Sequence, residues 1–241
     1  MMDISTVTRQ GRKLLKLKYC GAVIVAAGSA SRMKGTDKIL EPLGGEPVIL
    51  RTVKAFQNCD AIREIVIVTS PEKIGPISEL CRELSKVKAV VAGGDSRQKS
   101  VQLGLNALSE KVKLAAIHDG ARPLVSWQVI DRAVRAANSY GAAAPAIPVK
   151  DTVKTVTGGI VKDTPDRSTL RAVQTPQVFD FDLIRGALKK AFEDGATVTD
   201  DCSAVERLGM SVKIVEGDER NIKITTPLDL KIAELFLEGA E

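Results

Sequence analysis

Short apolar runs rich in β-branched residues recur along the first half of the chain, and helix-like segments separate them. The runs occupy residues 22–27, 65–68, 87–91 and 114–117. Continuous apolar runs of this length are typical of strands that are covered on both faces of a parallel sheet. Between them, apolar positions recur with helical spacing over residues 47–57, 72–85 and 97–108. The alternation predicts a Rossmann-like, doubly wound α/β fold with a mostly parallel sheet.

The pattern changes past the middle of the chain, where two polar, valine-containing segments flank a pair of glycines. Residues 149–157 and 160–163 enclose Gly158-Gly159. This arrangement predicts a β-hairpin, because glycine accepts the positive φ angles of a two-residue turn. An isolated hairpin is only marginally stable in water. We therefore expect a projecting arm, over about residues 149–171, that packs against a second subunit in a homodimer.

The last third of the chain returns to mixed α/β periodicity. The expected elements are a strand near 172–178, helices near 181–193 and 200–208, a strand at 212–216 and a closing helix at about 227–238. The sequence shows no repeat, low-complexity tract or linker. We therefore expect a single domain over residues 21–241 that carries the arm.

The positive charge of the chain is concentrated near its N-terminus. The formal net charge is +5 over 241 residues, and residues 1–20 hold five basic side chains against Asp3 alone. The remainder carries 30 basic and 29 acidic groups. A nearly neutral body disfavours a nucleic-acid-binding module. We expect residues 1–20 to be a disordered basic extension. We expect no membrane segment, because no apolar run approaches the roughly 18–20 residues of a spanning helix.

A single histidine, His118, limits the chemistry that this chain can use. It excludes a zinc site built on two or three imidazoles, and any catalytic triad would have to use this residue. The four cysteines show no C-x-x-C spacing, so neither a metal knuckle nor a dithiol redox site is indicated. Scattered cysteines without a secretion signal favour a cytoplasmic protein.

The first apolar run leads directly into a loop of small and basic residues. Residues 27–38 contain Gly28, several serines and alanines, and the cations Arg32, Lys34 and Lys38. Small residues let backbone N–H groups close on phosphate oxygens, and the cations add positive charge. The segment matches neither G-x-G-x-x-G nor G-x-x-x-x-G-K-[ST], so neither a dinucleotide site nor a P-loop is indicated. We predict a phosphate-binding loop; the alternative is a plain strand–loop–helix connection with solvated basic residues.

This loop, AAGSASRM at 26–33 followed by Asp37-Lys38, resembles the signature of sugar-phosphate nucleotidylyltransferases. Further blocks extend the likeness over about residues 21–238. They are GGDSRQKSV (93–101), HDGARP (118–123), KDT (150–152), TPDR (164–167), AVQTPQVF (172–179), TDD (199–201) and RNIKIT (220–225). Their order is that of the 2-C-methyl-D-erythritol 4-phosphate cytidylyltransferases, the family that the chain resembles most closely. One such block would be weak evidence for the resemblance, but so many blocks in the family's order are specific evidence for it.

The resemblance implies a reaction between CTP and a sugar-alcohol phosphate, with Mg²⁺ as the cofactor. A phosphate oxygen of 2-C-methyl-D-erythritol 4-phosphate would attack the α-phosphorus of CTP and release pyrophosphate. That oxygen is already anionic at neutral pH, so the enzyme must supply alignment and positive charge rather than a general base. A chain with one histidine suits such chemistry.

The resemblance also implies roles for individual residues. The catalytic cations would be Arg32 and Lys38. The nucleotide would be bound by Ala26, Ala27, Gly28, Gly94, Asp95 and Ser100. The second substrate would be bound by Asp119, Arg122, Thr152, Arg167, Thr175 and Lys223. Of these, Thr152 and Arg167 lie in the arm and would act across the dimer. From the residues alone, Asp119 and Arg122 could equally form a local i, i+3 ion pair. No residue is assigned to the metal.

The loop departs from the family pattern in three ways. The chain has Ser29-Ala30-Ser31 where many relatives have G-x-G, and Asp37-Lys38 where Pro-Lys is common. The interval between Arg32 and Lys38 is one residue short. Asp37 would either lower the positive potential beside Lys38 or pair with Arg32. The alternative functions are a ribitol-5-phosphate cytidylyltransferase and a catalytically silent nucleotide-binding relative.

Overall fold

Strands and helices alternate in this computed structural model, which describes residues 16–28 and 37–239. The strands are β1 (Cys20–Val25), β2 (Pro42–Leu43), β3 (Glu46–Pro47), β4 (Ile62–Thr69), β5 (Val87–Ala92), β6 (Leu114–Asp119), β7 (Ala142–Pro148), β8 (Thr155–Thr157), β9 (Ile160–Asp163), β10 (Arg171–Val173), β11 (Gln177–Asp180) and β12 (Lys213–Glu216). The α-helices are α1 (Val48–Gln57), α2 (Ile74–Leu80), α3 (Arg97–Asn106), α4 (Trp127–Tyr140), α5 (Phe181–Glu193), α6 (Asp201–Glu206) and α7 (Pro227–Glu238).

Eight strands form one sheet in the order β10-β7-β11-β6-β1-β4-β5, with β12 paired to β7. The strands β6, β1, β4 and β5 are mutually parallel, and β12 is parallel to β7. β11 runs antiparallel to β6 and β7, and β10 runs antiparallel to β7. The chain passes from β1 outward to β4 and β5 and then returns to β6 on the other side of β1. Loops that diverge at such a switch point leave a crevice at the carboxyl ends of the strands.

Alternate residues of the central strands face two separate layers of helices. Ile24 of β1 and Ile67 of β4 pack in a cluster with α1, α2 and α4. Their neighbours Val23 and Val68 pack in a second cluster with α3, α5 and α6. All four side chains are fully buried. Because both faces are covered, residues 22–25 of β1 and 65–68 of β4 are apolar throughout instead of alternating, and the predicted doubly wound α/β fold is confirmed.

Most predicted elements are present with small shifts at their ends. The helix expected over 72–85 is instead a short 3₁₀ turn at Pro71–Lys73 followed directly by α2. The strand expected near 172–178 is divided into β10 and β11. Within the described part of the chain, no helix combines the length and the apolar character needed to cross a membrane.

The helix α4 and the strand β7 that follows it were not predicted from the sequence. The helix begins after Ser126, whose hydroxyl accepts a hydrogen bond from the N–H of Val129, and it ends at Gly141, which has a φ of +82°. Its buried positions recur with helical spacing: Val129, Ile130, Ala133, Val134 and Ala137. A serine cap and a terminal glycine are start and stop signals that can be read from sequence.

The predicted hairpin is present as a separate two-stranded sheet. β8 and β9 pair antiparallel around Gly158 and Gly159, whose φ angles are +57° and +79°. The first strand is shorter than expected, because residues 149–154 form no regular strand. Every residue of β8 and β9 is exposed. The function of this arm in dimerisation stays a prediction.

Residues 16–20, which we assigned to the N-terminal extension, pack on the body of the protein. The Nζ atom of Lys18 lies 3.1 Å from a carboxylate oxygen of Asp180, and Leu17 packs against the core. The folded part therefore starts several residues before the expected boundary. Residues 1–15 of the expected extension lie outside the described residues.

Candidate active site

A pocket of about 410 Å³ opens at the carboxyl ends of β1, β5 and β6. Its position is the one that the strand order favours for a ligand, because the loops after β1 and β6 diverge there. Nine of the predicted site residues line it: Ala26, Ala27, Gly28, Lys38, Gly94, Asp95, Ser100, Asp119 and Lys223. The structure therefore brings together segments that lie far apart in the sequence.

The other predicted site residues do not line this pocket. Arg32 lies outside the described residues. Arg122 and Thr175 lie next to the pocket, in contact with Asp119. Thr152 is exposed in the arm, and Arg167 lines a second pocket of about 650 Å³ there. The two arm residues are thus not part of the pocket around Asp119 within a single chain.

The loop between β5 and α3 is held by the hydroxyl group of Ser100. The N–H of Gly94 donates to Ser100 Oγ at 3.1 Å, and Ser100 Oγ donates to the carbonyl of Ser96 at 2.9 Å. A Cβ atom at Gly93 would lie 2.5 Å from the Cβ of Ala27, so a larger residue would push the loop away from β1. Because the single hydroxyl proton of Ser100 is used within the loop, its oxygen is an acceptor toward any ligand.

Asp119 is surrounded by positive charge. Lys223 Nζ lies 2.9 Å from Oδ2, Arg122 Nε lies 3.6 Å from the same atom, and Arg97 Nε lies 3.7 Å from Oδ1. Burial on its own would raise the pKa of Asp119. The positive charges of Lys223, Arg97 and Arg122 outweigh burial and lower the pKa to about 2. Asp119 is therefore ionised at neutral pH and acts only as a hydrogen-bond acceptor.

His118 is a buried structural residue beside the pocket. Its Nε2 lies 3.2 Å from the carbonyl oxygen of Arg122, and its Nδ1 lies 2.9 Å from Thr175 Oγ1. A carbonyl can only accept, so Nε2 carries the proton and Nδ1 accepts from Thr175. The Thr175 oxygen in turn accepts from the N–H of Asp119 at 3.2 Å. Burial lowers the pKa of His118 to about 3, so the ring stays neutral.

Arg122 forms a hydrogen bond with the segment that carries Lys223. Its Nη1 donates to the carbonyl of Asn221 at 2.6 Å, and Asn221 Nδ2 donates to the carbonyl of Thr175 at 2.8 Å. The local pair between Arg122 and Asp119, which we considered as an alternative, is present. Substrate binding by Arg122 and Thr175 stays a prediction.

Arg97, a charged residue in the pocket wall, was not predicted from the sequence. Its Nη2 lies 2.7 Å from Asp201 Oδ2, and its Nε faces Asp119. Burial raises the pKa of Asp201, although the charge of Arg97 opposes this change. Both residues lie within recognised blocks, GGDSRQKSV and TDD, but no sequence signal indicates that they meet.

Asp37 has a partner that the sequence did not predict. Its Oδ2 lies 3.0 Å from Lys73 Nζ, and its Oδ1 accepts from the N–H of Ile39 at 3.2 Å. The pairing that we considered with Arg32 involves a residue outside the described part of the chain. Lys38, the next residue, lines the pocket.

A magnesium ion fits the donor groups of this pocket. Among the described residues, no three His, Cys, Asp or Glu side chains form a group that could hold a metal by themselves. Asp95 and Asp119 place two carboxylates in the pocket wall, of which that of Asp119 is already paired with Lys223 at 2.9 Å. Mg²⁺ is usually held by one or two carboxylates together with substrate phosphates and water. The residues therefore suit an ion that arrives with a nucleotide.

A model of the 2-C-methyl-D-erythritol 4-phosphate cytidylyltransferase family matches residues 20–239. The chain belongs to this family. The resemblance stated above is confirmed, and so is the enzyme class, because cytidylyltransferases are nucleotidyltransferases. The match includes the pocket and the arm.

Individual relatives support the same assignment. The 2-C-methyl-D-erythritol 4-phosphate cytidylyltransferase of Caldanaerobacter subterraneus is 48% identical over 225 residues, which cover 90% of this chain and 97% of the relative. The protein of that name from Geobacillus thermodenitrificans is also 48% identical, over 219 residues that cover 90% and 96%. Among solved structures, the 4-diphosphocytidyl-2C-methyl-D-erythritol synthase of Anaerococcus prevotii is similar with a TM-score of 0.85 and 30% identity, covering 95% of this chain and all of that one.

Proposed function

We propose that the pocket around Asp119 is the site at which this chain transfers CMP from CTP to 2-C-methyl-D-erythritol 4-phosphate. The products are 4-diphosphocytidyl-2-C-methyl-D-erythritol and pyrophosphate. The observation that carries the proposal is that Lys38, Arg97 and Lys223 line one pocket, together with the small residues that follow β1 and precede α3 and with the carboxylates of Asp95 and Asp119. Two phosphorylated substrates require such a concentration of positive charge.

The reaction is a displacement at phosphorus. A phosphate oxygen of the erythritol phosphate forms a bond to the α-phosphorus of CTP, and the bond from that phosphorus to the bridging oxygen breaks. Pyrophosphate leaves with the electron pair. The attacking oxygen carries no proton that must be removed, which agrees with a neutral, buried His118 that takes no part in the step. Lys38 and Arg32 stabilise the charge that develops on the α-phosphoryl oxygens.

The loops on either side of the pocket bind the nucleotide. The backbone of Ala26, Ala27 and Gly28 faces CTP from the end of β1. Gly94, Asp95 and Ser100 bind the cytosine ring from the loop before α3. Since Ser100 Oγ gives its proton to Ser96, it accepts a hydrogen bond from the exocyclic amine of cytosine.

The second substrate lies near Lys223 and Asp119. Lys223 binds its phosphate or orients it toward the α-phosphorus, and the Asp119 carboxylate accepts a hydrogen bond from a hydroxyl group. Arg122 and Thr175 complete this side of the site. Thr152 and Arg167 approach the site from the arm of the partner subunit in a homodimer.

Exposed apolar side chains of the arm support the homodimer. Val156, Ile160 and Val161 have 55%, 65% and 53% of their surface exposed. Apolar groups clustered on an exposed hairpin favour burial against another surface. A second subunit would cover them and bring Arg167 to the active site.

Mg²⁺ completes the proposal as a cofactor. It would be held mainly by the triphosphate and by water, near the pocket carboxylates of Asp95 and Asp119, and it would neutralise phosphate charge when bound. We also propose a cytoplasmic location, since Cys20, Cys59, Cys81 and Cys202 are all buried free thiols, as suits a reducing compartment. A body that is nearly neutral supports the absence of a nucleic-acid partner.

Pyrophosphate release with CTP and either of two polyol phosphates tests the function. We expect fast release with 2-C-methyl-D-erythritol 4-phosphate and much slower release with ribitol 5-phosphate. Equal or greater turnover with ribitol 5-phosphate would contradict the choice of substrate. CTP binding without release for either compound would indicate a catalytically silent relative. Reactions with ATP, GTP and UTP in place of CTP serve as the control for base recognition.

A further inference from the structure

Asp37 shapes the turn that carries Lys38. Its Oδ1 accepts a hydrogen bond from the N–H of Ile39 at 3.2 Å, and its carbonyl accepts from the N–H groups of Leu40 and Glu41, both at 3.0 Å. A carboxylate that hydrogen-bonds two residues ahead restricts the backbone of the residue between. The position of the Lys38 backbone therefore depends on how the Asp37 side chain is held.

The second carboxylate oxygen of Asp37 is held by a lysine from another part of the fold. Lys73 Nζ lies 3.0 Å from Oδ2, and only 21% of the Lys73 side chain and 30% of the Asp37 side chain are exposed. Lys73 ends the 3₁₀ turn that follows β4, and its N–H donates to the carbonyl of Ser70 at 3.0 Å. The ion pair thus connects the Lys38 turn to the carboxyl edge of the sheet.

The chain that follows Lys38 is held by backbone hydrogen bonds to the start of α1. The N–H of Ile49 donates to the carbonyl of Ile39 at 2.9 Å, and the N–H of Val48 donates to that of Glu41 at 3.0 Å. The turn is therefore held after Lys38 by backbone hydrogen bonds and before Lys38 by the side chain of Asp37.

Charge gives the ion pair a second effect. A carboxylate next to Lys38 attracts its ammonium group and competes with the phosphoryl oxygens of a nucleotide. Lys73 neutralises Asp37 and so reduces this competition. Lys73 and Asp37 therefore act together on the charge around Lys38.

We propose that the Asp37–Lys73 ion pair is a positioning element that directs Lys38 toward the α-phosphate of CTP. This inference rests on the proposed catalytic function of Lys38. Lys73 acts through Asp37 and not by contact with a substrate. A displacement of about 1 Å in a reacting site can reduce the rate about a hundredfold, so loss of one anchor of the turn should reduce it about tenfold.

Steady-state kinetics of Lys73→Met, Asp37→Asn and the double variant test the proposal. We expect Lys73→Met to lower kcat about tenfold while the KM for CTP changes less than about twofold, because the effect is on the transition state. Lys73→Arg should restore most of the activity. In the Asp37→Asn background, Lys73→Met should cause no further loss. The control is Lys190→Met, which removes an exposed ion pair with Asp194 on α5 and should leave kcat unchanged.

Lys38→Ala distinguishes the two ways in which the proposal can fail. Near-normal turnover of Lys38→Ala would overturn the catalytic function of Lys38 and this inference with it. An inactive Lys38→Ala together with a Lys73→Met variant that equals the control would overturn the positioning inference alone. A lower unfolding midpoint with unchanged kcat, or independent losses in the double variant, would also overturn it. If Lys73→Met does not fold, Asp37→Asn, which keeps an oxygen for the N–H of Ile39 but breaks the ion pair, must lower kcat through loss of the anchor alone.

Discussion

The guanidinium group of Arg97 lies 2.7 Å from the carboxylate of Asp201 and joins the first turn of α3 to the first residue of α6. The Asp201 side chain is 1% exposed, whereas that of Arg97 is 34% exposed and lines the pocket. A buried carboxylate that loses its cation is strongly unfavourable. Arg97 therefore stabilises α6 and at the same time contributes positive charge to the site.

Arg97→Met is expected to destabilise the protein by about 3 kcal/mol at pH 8, because it leaves Asp201 buried without a cation. Burial raises the pKa of Asp201 and Arg97 opposes that change, so the variant raises this pKa further. The folded variant then binds a proton more readily than the unfolded chain does, and its deficit should shrink as the pH falls to 5. Urea unfolding at both pH values measures this difference. Asp201→Asn added to Arg97→Met should recover much of the stability; an equal deficit at both pH values would contradict the explanation.

Lys38→Ala and Arg32→Ala are each expected to lower turnover by at least about a hundredfold, because each removes positive charge from the developing α-phosphoryl oxygens. The free energy of unfolding should change by less than about 1 kcal/mol. Pyrophosphate release and urea unfolding measure the two effects. Lys190→Ala on α5 is the matched control. Near-normal turnover in either active-site variant would remove that residue from the catalytic machinery.

Replacement of both Val156 and Ile160 by lysine is expected to dissociate the proposed homodimer. Two charges within the contact should weaken association by more than about tenfold. Turnover should fall in parallel, because Arg167 would no longer reach the partner's site. Light scattering gives the molar mass. Leu235→Lys on α7, an equally exposed apolar position, is the control and should remain dimeric. A wild-type chain that is monomeric where it is active would contradict the dimeric site.

His118 is expected to make stability depend on pH between about 6.5 and 5. Its pKa is about 3 in the folded state and roughly 6.5 when unfolded, so the unfolded chain binds the extra proton in this range. As the pH is lowered below 6.5, the free energy of unfolding should decrease by about 1.4 kcal/mol per pH unit. His118→Gln should lose this component, and the difference between the two chains isolates it because all other groups are shared. If the stabilities of the two chains changed with pH in parallel, His118 would bind its proton as readily in the folded protein as in the unfolded chain, which would contradict the prediction.

Removal of residues 1–15 is expected to leave turnover and stability unchanged, whereas removal of residues 1–20 should destabilise the protein. The longer deletion removes Leu17 from the core, the Lys18–Asp180 contact and the first residue of β1. Full burial of one leucine contributes about 1.5–3 kcal/mol, and Leu17 is only partly buried, so the loss from this residue should be smaller. Thermal unfolding of the two variants makes the comparison.

The shorter variant also tests nucleic-acid binding. We expect any DNA binding by the full chain to be weak, sensitive to salt and lost with residues 1–15. DNA binding that persists after this deletion would contradict a nearly neutral, non-binding body.

Local sequence patterns predicted much of the architecture. The apolar runs of β1, β4 and β6 indicated buried parallel strands, because a strand covered on both faces has no polar side. The run at 87–91 also indicated a parallel strand, but β5 lies at the edge of the sheet and none of its residues is fully buried. Gly158-Gly159 located the hairpin turn. The same approach overextended the helix after β4, since Leu84 and neighbouring positions continue the apolar spacing although α2 ends at Leu80. The α4 helix was missed although Ser126 and Gly141 mark its ends.

The ordered blocks of residues determined the family, and with it nine of the residues that line the pocket, although not Arg97. Tertiary structure alone decided which charged groups meet. Arg97 and Asp201 are 104 residues apart, and Lys223 is equally distant from Asp119, yet both pairs lie at one edge of the sheet. The spacing of apolar residues along the sequence indicates only which side of each segment is buried. The distance between two charges depends on strand order and on the direction of each loop, and these are properties of the whole fold.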